Sequence, residues 1–126
     1  IVDALYKIKP PFNVNSFAEK CAIKAISDKV FIKKSISHNL FWGNKIKKLF
    51  ESYNVSSNTI ASNFLLLNFK NCKISSKLFM NKLLKNGIIV REMEEYKIKN
   101  SLRLSIGNSS ENKYLVNVVR KIFKHV

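Results

Sequence analysis

Two of the three arginines in this 126-residue chain, Arg91 and Arg103, lie in apolar, strand-like settings within one stretch, Gly87 to Asn112, GIIVREMEEYKIKNSLRLSIGNSSEN. A guanidinium holds its donors in a planar fork that matches the oxygens of a carboxylate or phosphate, so the chemistry open to such residues is anion recognition. Gly87 ends a helical pattern, and Ile88, Ile89 and Val90 form a short β-branched run that predicts a strand with Arg91 at its end. After a polar turn, Leu102, Leu104 and Ile106 point to one face of a second predicted strand, leaving Arg103 and Ser105 together on the other. A strand arginine can simply lie on the solvated face of a half-exposed sheet, or it can be a rigidly mounted fork for an anion. Composition alone does not choose between the two.

The elements that must position these arginines are read from periodicity and punctuation. Ile1 to Lys7 is helical in pattern until Pro10 and Pro11 stop it, and Phe12, Asn13 and Val14 form a linker. By residue type Asn13 is read as a turn-making residue. A helix starts at Asn15 or Ser16, with Phe17, Ala18, Cys21, Ala22 and Ala25 on one stripe whose small residues predict close packing on another helix. A longer helix runs from about Asp28 to Tyr53, with Ile32, Ile36, Leu40, Ile46, Leu49 and Phe50 at helical intervals. Gly43 costs about 1 kcal/mol in a helix interior, so a bend or break is expected near it. Phe41 and Trp42 are expected to pack in the core or between helices.

Asn54 to Ser62 is loop-like, and Phe64 to Phe69 is an apolar run of strand length. Ser75 or Ser76 caps a helix with Leu78, Phe79, Leu83 and Leu84 on its expected buried side, closed by Gly87. The two arginine-bearing strands follow, joined by a connection too short for a helical crossover, so they are expected to pair antiparallel. Asn108 and Glu111 form a variant capping box, and Leu115, Val118, Val119 and Ile122 stripe the last helix. The fold class is therefore α/β, helices packed on a small mixed or largely antiparallel sheet.

Charge offers a competing function. A formal net charge of +15 would suit a nucleic acid or an anionic membrane. Yet the twenty lysines are scattered over the predicted helices and loops, with no aromatic platform or nucleic-acid motif beside them. Fifteen asparagines accompany them, a joint bias that an AT-rich coding sequence also produces, and the charge is read as a solvated surface. Cys21 and Cys72 match no metal or redox spacing. His38 and His125 are isolated and read as surface residues. No apolar run approaches 18 residues, and no signal peptide is visible, so a cytoplasmic setting is expected unless a targeting segment precedes Ile1.

The pattern GIIVR, about a dozen residues, then LRLSIG and an SSEN helix start resembles the C-terminal small domain of the histidinol-phosphate aminotransferases, which are fold-type I, class I and II pyridoxal-phosphate enzymes. KIKPPFNVNSFA (Lys7 to Ala18) resembles the segment after that family's cofactor-lysine loop, and ASNFLLLNF (Ala61 to Phe69) its first small-domain strand. The resemblance implies a division into residues 1–13, the end of a large-domain segment and connector, and 14–126, the small domain. It implies pyridoxal phosphate held mainly by an upstream part that carries the Schiff-base lysine, a homodimer, and a role in histidine biosynthesis with no nucleic-acid or membrane partner. Arg103 then matches the arginine that receives the substrate's anionic group, the carboxylate of glutamate. Arg91 matches a second arginine that helps hold the substrate phosphate, and Asn13 falls on the connector near the active-site mouth. The acidic run Glu92, Glu94 and Glu95 departs from the family's Gly-containing turn and is placed to compete for Arg91. Another class I or II aminotransferase, acting on aromatic or related amino acids, shares most of these motifs. A catalytically inactive paralogue used for assembly would share all of them, and a free-standing basic nucleic-acid-binding domain is the reading from another class.

Overall fold

Two strands whose side chains alternate between a buried and a less buried face build the centre of the fold. In the computed structural model, which describes residues 1–9 and 15–124, Phe64–Asn68 and Ser101–Ser105 are strands paired antiparallel along their whole length. Leu65 faces Leu104 and Leu67 faces Leu102, and none of the four is more than 3% exposed. In chain order the elements are α1 (Val2–Ile8), α2 (Ser16–Ser27), α3 (Lys29–Glu51), β1 (Ser56–Ser57), β2 (Phe64–Asn68), α4 (Ser76–Leu84), β3 (Arg91–Glu92), a 3-10 turn (Glu94–Tyr96), β4 (Ser101–Ser105) and α5 (Ser109–Lys124). The sheet order is β1-β2-β4-β3 with every pairing antiparallel, which places the arginine-bearing strands side by side as expected.

The chain divides into two compact units, Ile1–Lys34 and Ser35–Val126. In the first, Asn15 caps α2 by accepting from the Ala18 amide at 2.8 Å, and the Asp28 carboxylate accepts from the Phe31 amide at 2.9 Å where α3 begins. The close packing predicted for Phe17, Ala18, Cys21, Ala22 and Ala25 is not made: α2 has no buried residue, and Phe17 is 75% exposed. A helical stripe marks where an apolar partner would lie, but it does not supply one.

In the second unit the leucine face of the sheet carries the core. Trp42, Ile46 and Phe50 from α3, Phe79 and Leu83 from α4, and Leu115, Val118, Val119 and Ile122 from α5 join Leu65, Leu67, Leu102 and Leu104 in one cluster. Helix α3 runs unbroken through Gly43, so the expected bend or break does not take the form of a break. Its glycine answers to packing: a Cβ there would come within 2.7 Å of the Ile60 side chain and 3.1 Å of Ile106. Ile36, Leu40 and Phe41 are exposed, while Trp42 is buried and donates its indole N–H to Ser109 Oγ at 3.2 Å. His38, expected at the surface, is half-buried and donates from Nε2 to the Gly107 carbonyl at 2.9 Å. His125 lies outside the described residues.

Helix α4 buries Phe79 and Leu83, one turn apart, whereas Leu78 and Leu84 flank that line and are 47% and 57% exposed. Ser75 caps it, and Gly87, at φ +72°, closes it: the amides of Gly87 and Ile88 donate to the carbonyls of Leu84 and Leu83 at 2.9 and 3.0 Å. That closure corrects the predicted Ile88–Val90 strand. The Gly87 and Ile88 amides are spent on the helix end, Ile89 is 84% exposed, and pairing with β4 starts only at Arg91. The capping box of α5 forms as read, with Asn108 accepting from the Glu111 amide at 3.0 Å and Glu111 accepting from the Asn108 amide at 2.8 Å.

Candidate substrate-anion site

Strand alternation puts Arg103 on the sheet face away from the leucine core, and the β3–β4 register sets Arg91 directly opposite it. Two guanidiniums therefore share one face at adjacent, paired positions. Like charges placed directly opposite destabilise a sheet unless something neutralises them. Among the described residues no carboxylate does so: the ion pair found there is Lys47–Glu51 at 3.8 Å, remote in sequence from both arginines. The expected competition from Glu92, Glu94 and Glu95 for Arg91 is not seen.

Each guanidinium instead rests on an aromatic ring. Arg103 Cζ lies 5.1 Å from the centroid of Phe64, its diagonal neighbour on β2. Arg91 Cζ lies 5.0 Å from the centroid of Tyr96, and its Nη2 donates to the Tyr96 hydroxyl. Such cation–π contacts fix a guanidinium plane while leaving its edge donors open. Among the described residues Arg103 spends none of its donors on a side chain or carbonyl, although it is half-buried. The arrangement is a two-pronged cation on paired strands, suited to a carboxylate, a phosphate, or a molecule that carries one group for each prong.

Neither aromatic support was singled out in the sequence. Tyr96 has a local signal, an aromatic five residues after Arg91 inside a short connection, but Phe64 becomes a partner only through the β2–β4 register. Asn13 lies outside the described residues.

A family profile described as Aminotransferase class I and II matches residues 1–119. The chain belongs to that family. Among curated relatives of this aminotransferase chain, the histidinol-phosphate aminotransferase of Pelagibacter ubique is 44% identical over 124 residues, covering 98% of this chain and 34% of the relative. That of Campylobacter hominis is 34% identical, covering 97% of this chain and 33% of the relative. The crystal structure of the histidinol-phosphate aminotransferase from Clostridium acetobutylicum superposes with a TM-score of 0.77 at 20% identity, covering 98% of this chain and 38% of that one. The chain thus spans about a third of the length of the curated relatives it matches.

Class I and II aminotransferases are in general pyridoxal-phosphate enzymes, whose cofactor is held on a lysine. A Schiff-base lysine reacts as the free amine and is usually desolvated to make that form available. All twenty lysines are among the described residues, and none is buried. Among the described residues the buried polar ones are Ser76, Ser101 and Asn112; the Ser76 amide and the side chains of Ser101 and Asn112 are hydrogen-bonded within the fold, and no buried side-chain nitrogen or oxygen lacks a partner. The described residues do not form a cofactor cradle, and no chemical step is assigned to them through one.

Proposed function

We propose that this chain is the substrate-clamping small domain of a pyridoxal-phosphate transaminase that exchanges an amino group between histidinol phosphate and 2-oxoglutarate, giving imidazole acetol phosphate and glutamate. The observation that carries the reading is the Arg91–Arg103 pair, opposed in register on one sheet face with no carboxylate among the described residues to neutralise it. Arg103 receives the carboxylate of glutamate, and Arg91 holds the phosphate of the other substrate. Holding the anion sets the reacting amine over the cofactor, so binding energy is used for orientation. The curated relatives cited above carry the histidinol-phosphate aminotransferase name, which supports this substrate over an aromatic amino acid. In the same reading residues 1–13 end the large domain and connect it, residues 14–126 form the small domain, and the complete enzyme is a homodimer.

The proposal is tested with two preparations. A complete enzyme containing this chain should convert histidinol phosphate and 2-oxoglutarate to glutamate, whereas residues 1–126 with added pyridoxal phosphate should give no turnover. Catalysis by residues 1–126 would place the cofactor lysine among surface lysines and overturn the division of labour. A complete enzyme that ignores histidinol phosphate but accepts an aromatic amino acid would move the chain to another member of its family.

A further inference from the structure

Arg91 sits on an edge strand only two residues long and is itself exposed, so nothing in the sheet alone fixes its long side chain. The connection that follows is built more firmly than its length requires. Its 3-10 turn (Glu94–Tyr96) is closed by the Tyr96 amide on Met93 O at 3.0 Å and the Lys97 amide on Glu94 O at 2.8 Å. Lys97 and Asn100 both adopt left-handed backbone, at φ +60° and +50°, a region uncommon for lysine and tolerated by asparagine. Asn100 is held to its neighbours from two sides: its Oδ1 accepts from the Ser76 amide at 2.8 Å, and its carbonyl accepts from the Phe69 amide at 3.0 Å. What this braced loop delivers to Arg91 is the Tyr96 ring and hydroxyl. Tyr96 is 52% exposed and absent from the core, so the fold itself has little use for it.

We propose that Tyr96 is a positioning residue for Arg91: it accepts one guanidinium N–H and supports the guanidinium plane, holding the remaining donors ready for a phosphate. The inference rests on the reading of Arg91 as the phosphate-binding prong. Ordering a flexible cation before substrate arrives lowers the entropy lost on binding, and the benefit goes only to the substrate that uses that cation.

The test uses the complete enzyme, with histidinol phosphate and glutamate as the two amino donors. Tyr96→Phe keeps the ring and loses the acceptor. It should raise KM for histidinol phosphate about 3- to 10-fold, with kcat and KM for glutamate unchanged. Tyr96→Leu removes the ring as well and should do at least as much. Placed in an Arg91→Ala background, either change should add nothing, because the route through Arg91 is already gone. The inference is overturned if both Tyr96 variants keep the parent KM, if they weaken the two donors alike, or if their effect persists undiminished without Arg91. If Arg91→Ala alone leaves histidinol phosphate binding intact, the phosphate role of Arg91 fails and the Tyr96 role fails with it. A loss in Arg91→Ala with none in the Tyr96 variants removes the Tyr96 role only.

Discussion

Replacing Arg103 with lysine in the complete enzyme is expected to lower kcat/KM for glutamate by about 10- to 150-fold. A hydrogen bond to a charged group contributes about 1.5–3 kcal/mol, and each 1.36 kcal/mol is about tenfold in rate. Lysine keeps the charge but not the planar fork, so the loss reports geometry. The fold should be nearly untouched, because Arg103 lies outside the core and its described side-chain contact is the ring of Phe64, worth about 0.5–1 kcal/mol. Steady-state kinetics with glutamate, alongside a urea unfolding curve, separate the two effects. An unchanged kcat/KM would leave Arg103 as a residue of a solvated sheet face.

The second large effect is on stability. Phe79 is fully buried, and its ring lies 5.1 Å from Phe69, 5.3 Å from Phe123 and 5.7 Å from Phe50, so one side chain joins α4 to α3, α5 and the end of β2. Phe79→Ala removes those contacts and leaves a cavity, costing about 3–5 kcal/mol out of a total stability of about 5–15 kcal/mol. Its neighbour Leu78 is 47% exposed, and Leu78→Ala should cost no more than about 1 kcal/mol. Urea denaturation of the two variants checks the contrast, and equal losses would contradict the assigned helix face.

Those two residues also show what a sequence reveals here and what it withholds. Strand alternation is local, so the separation of Leu102, Leu104 and Ile106 from Arg103 was legible, as were the Gly87 closure and the Asn108–Glu111 box, whose partners lie within a few residues. Helix faces were legible only in part: Leu78, Phe79, Leu83 and Leu84 all read as buried, but of the four Phe79 and Leu83 alone meet the core. Intrinsic propensity misread Gly43, because tertiary packing against Ile60 and Ile106 outweighs its cost in a helix. Strand β1 consists of two serines that gain their identity from pairing with Leu67 and Asn68 rather than from any pattern of their own. The opposition of Arg91 and Arg103 depends on register, and register depends on a loop with two left-handed non-glycine residues that no pattern announced. The anion reading in the sequence therefore came from residue type and family resemblance, and the pairing that gives it physical force came from the structure.

The two arginines are assigned different anions, and half-reaction kinetics on the complete enzyme test that most directly. Each amino donor is mixed with the cofactor-loaded enzyme in single turnover, using the parent protein, Arg91→Lys and Arg103→Lys. Arg91→Lys should weaken histidinol phosphate by at least about tenfold more than glutamate, while Arg103→Lys should impair glutamate by the full factor given above. Equal losses on both donors in both variants, or no loss in either, would contradict a clamp built from this pair.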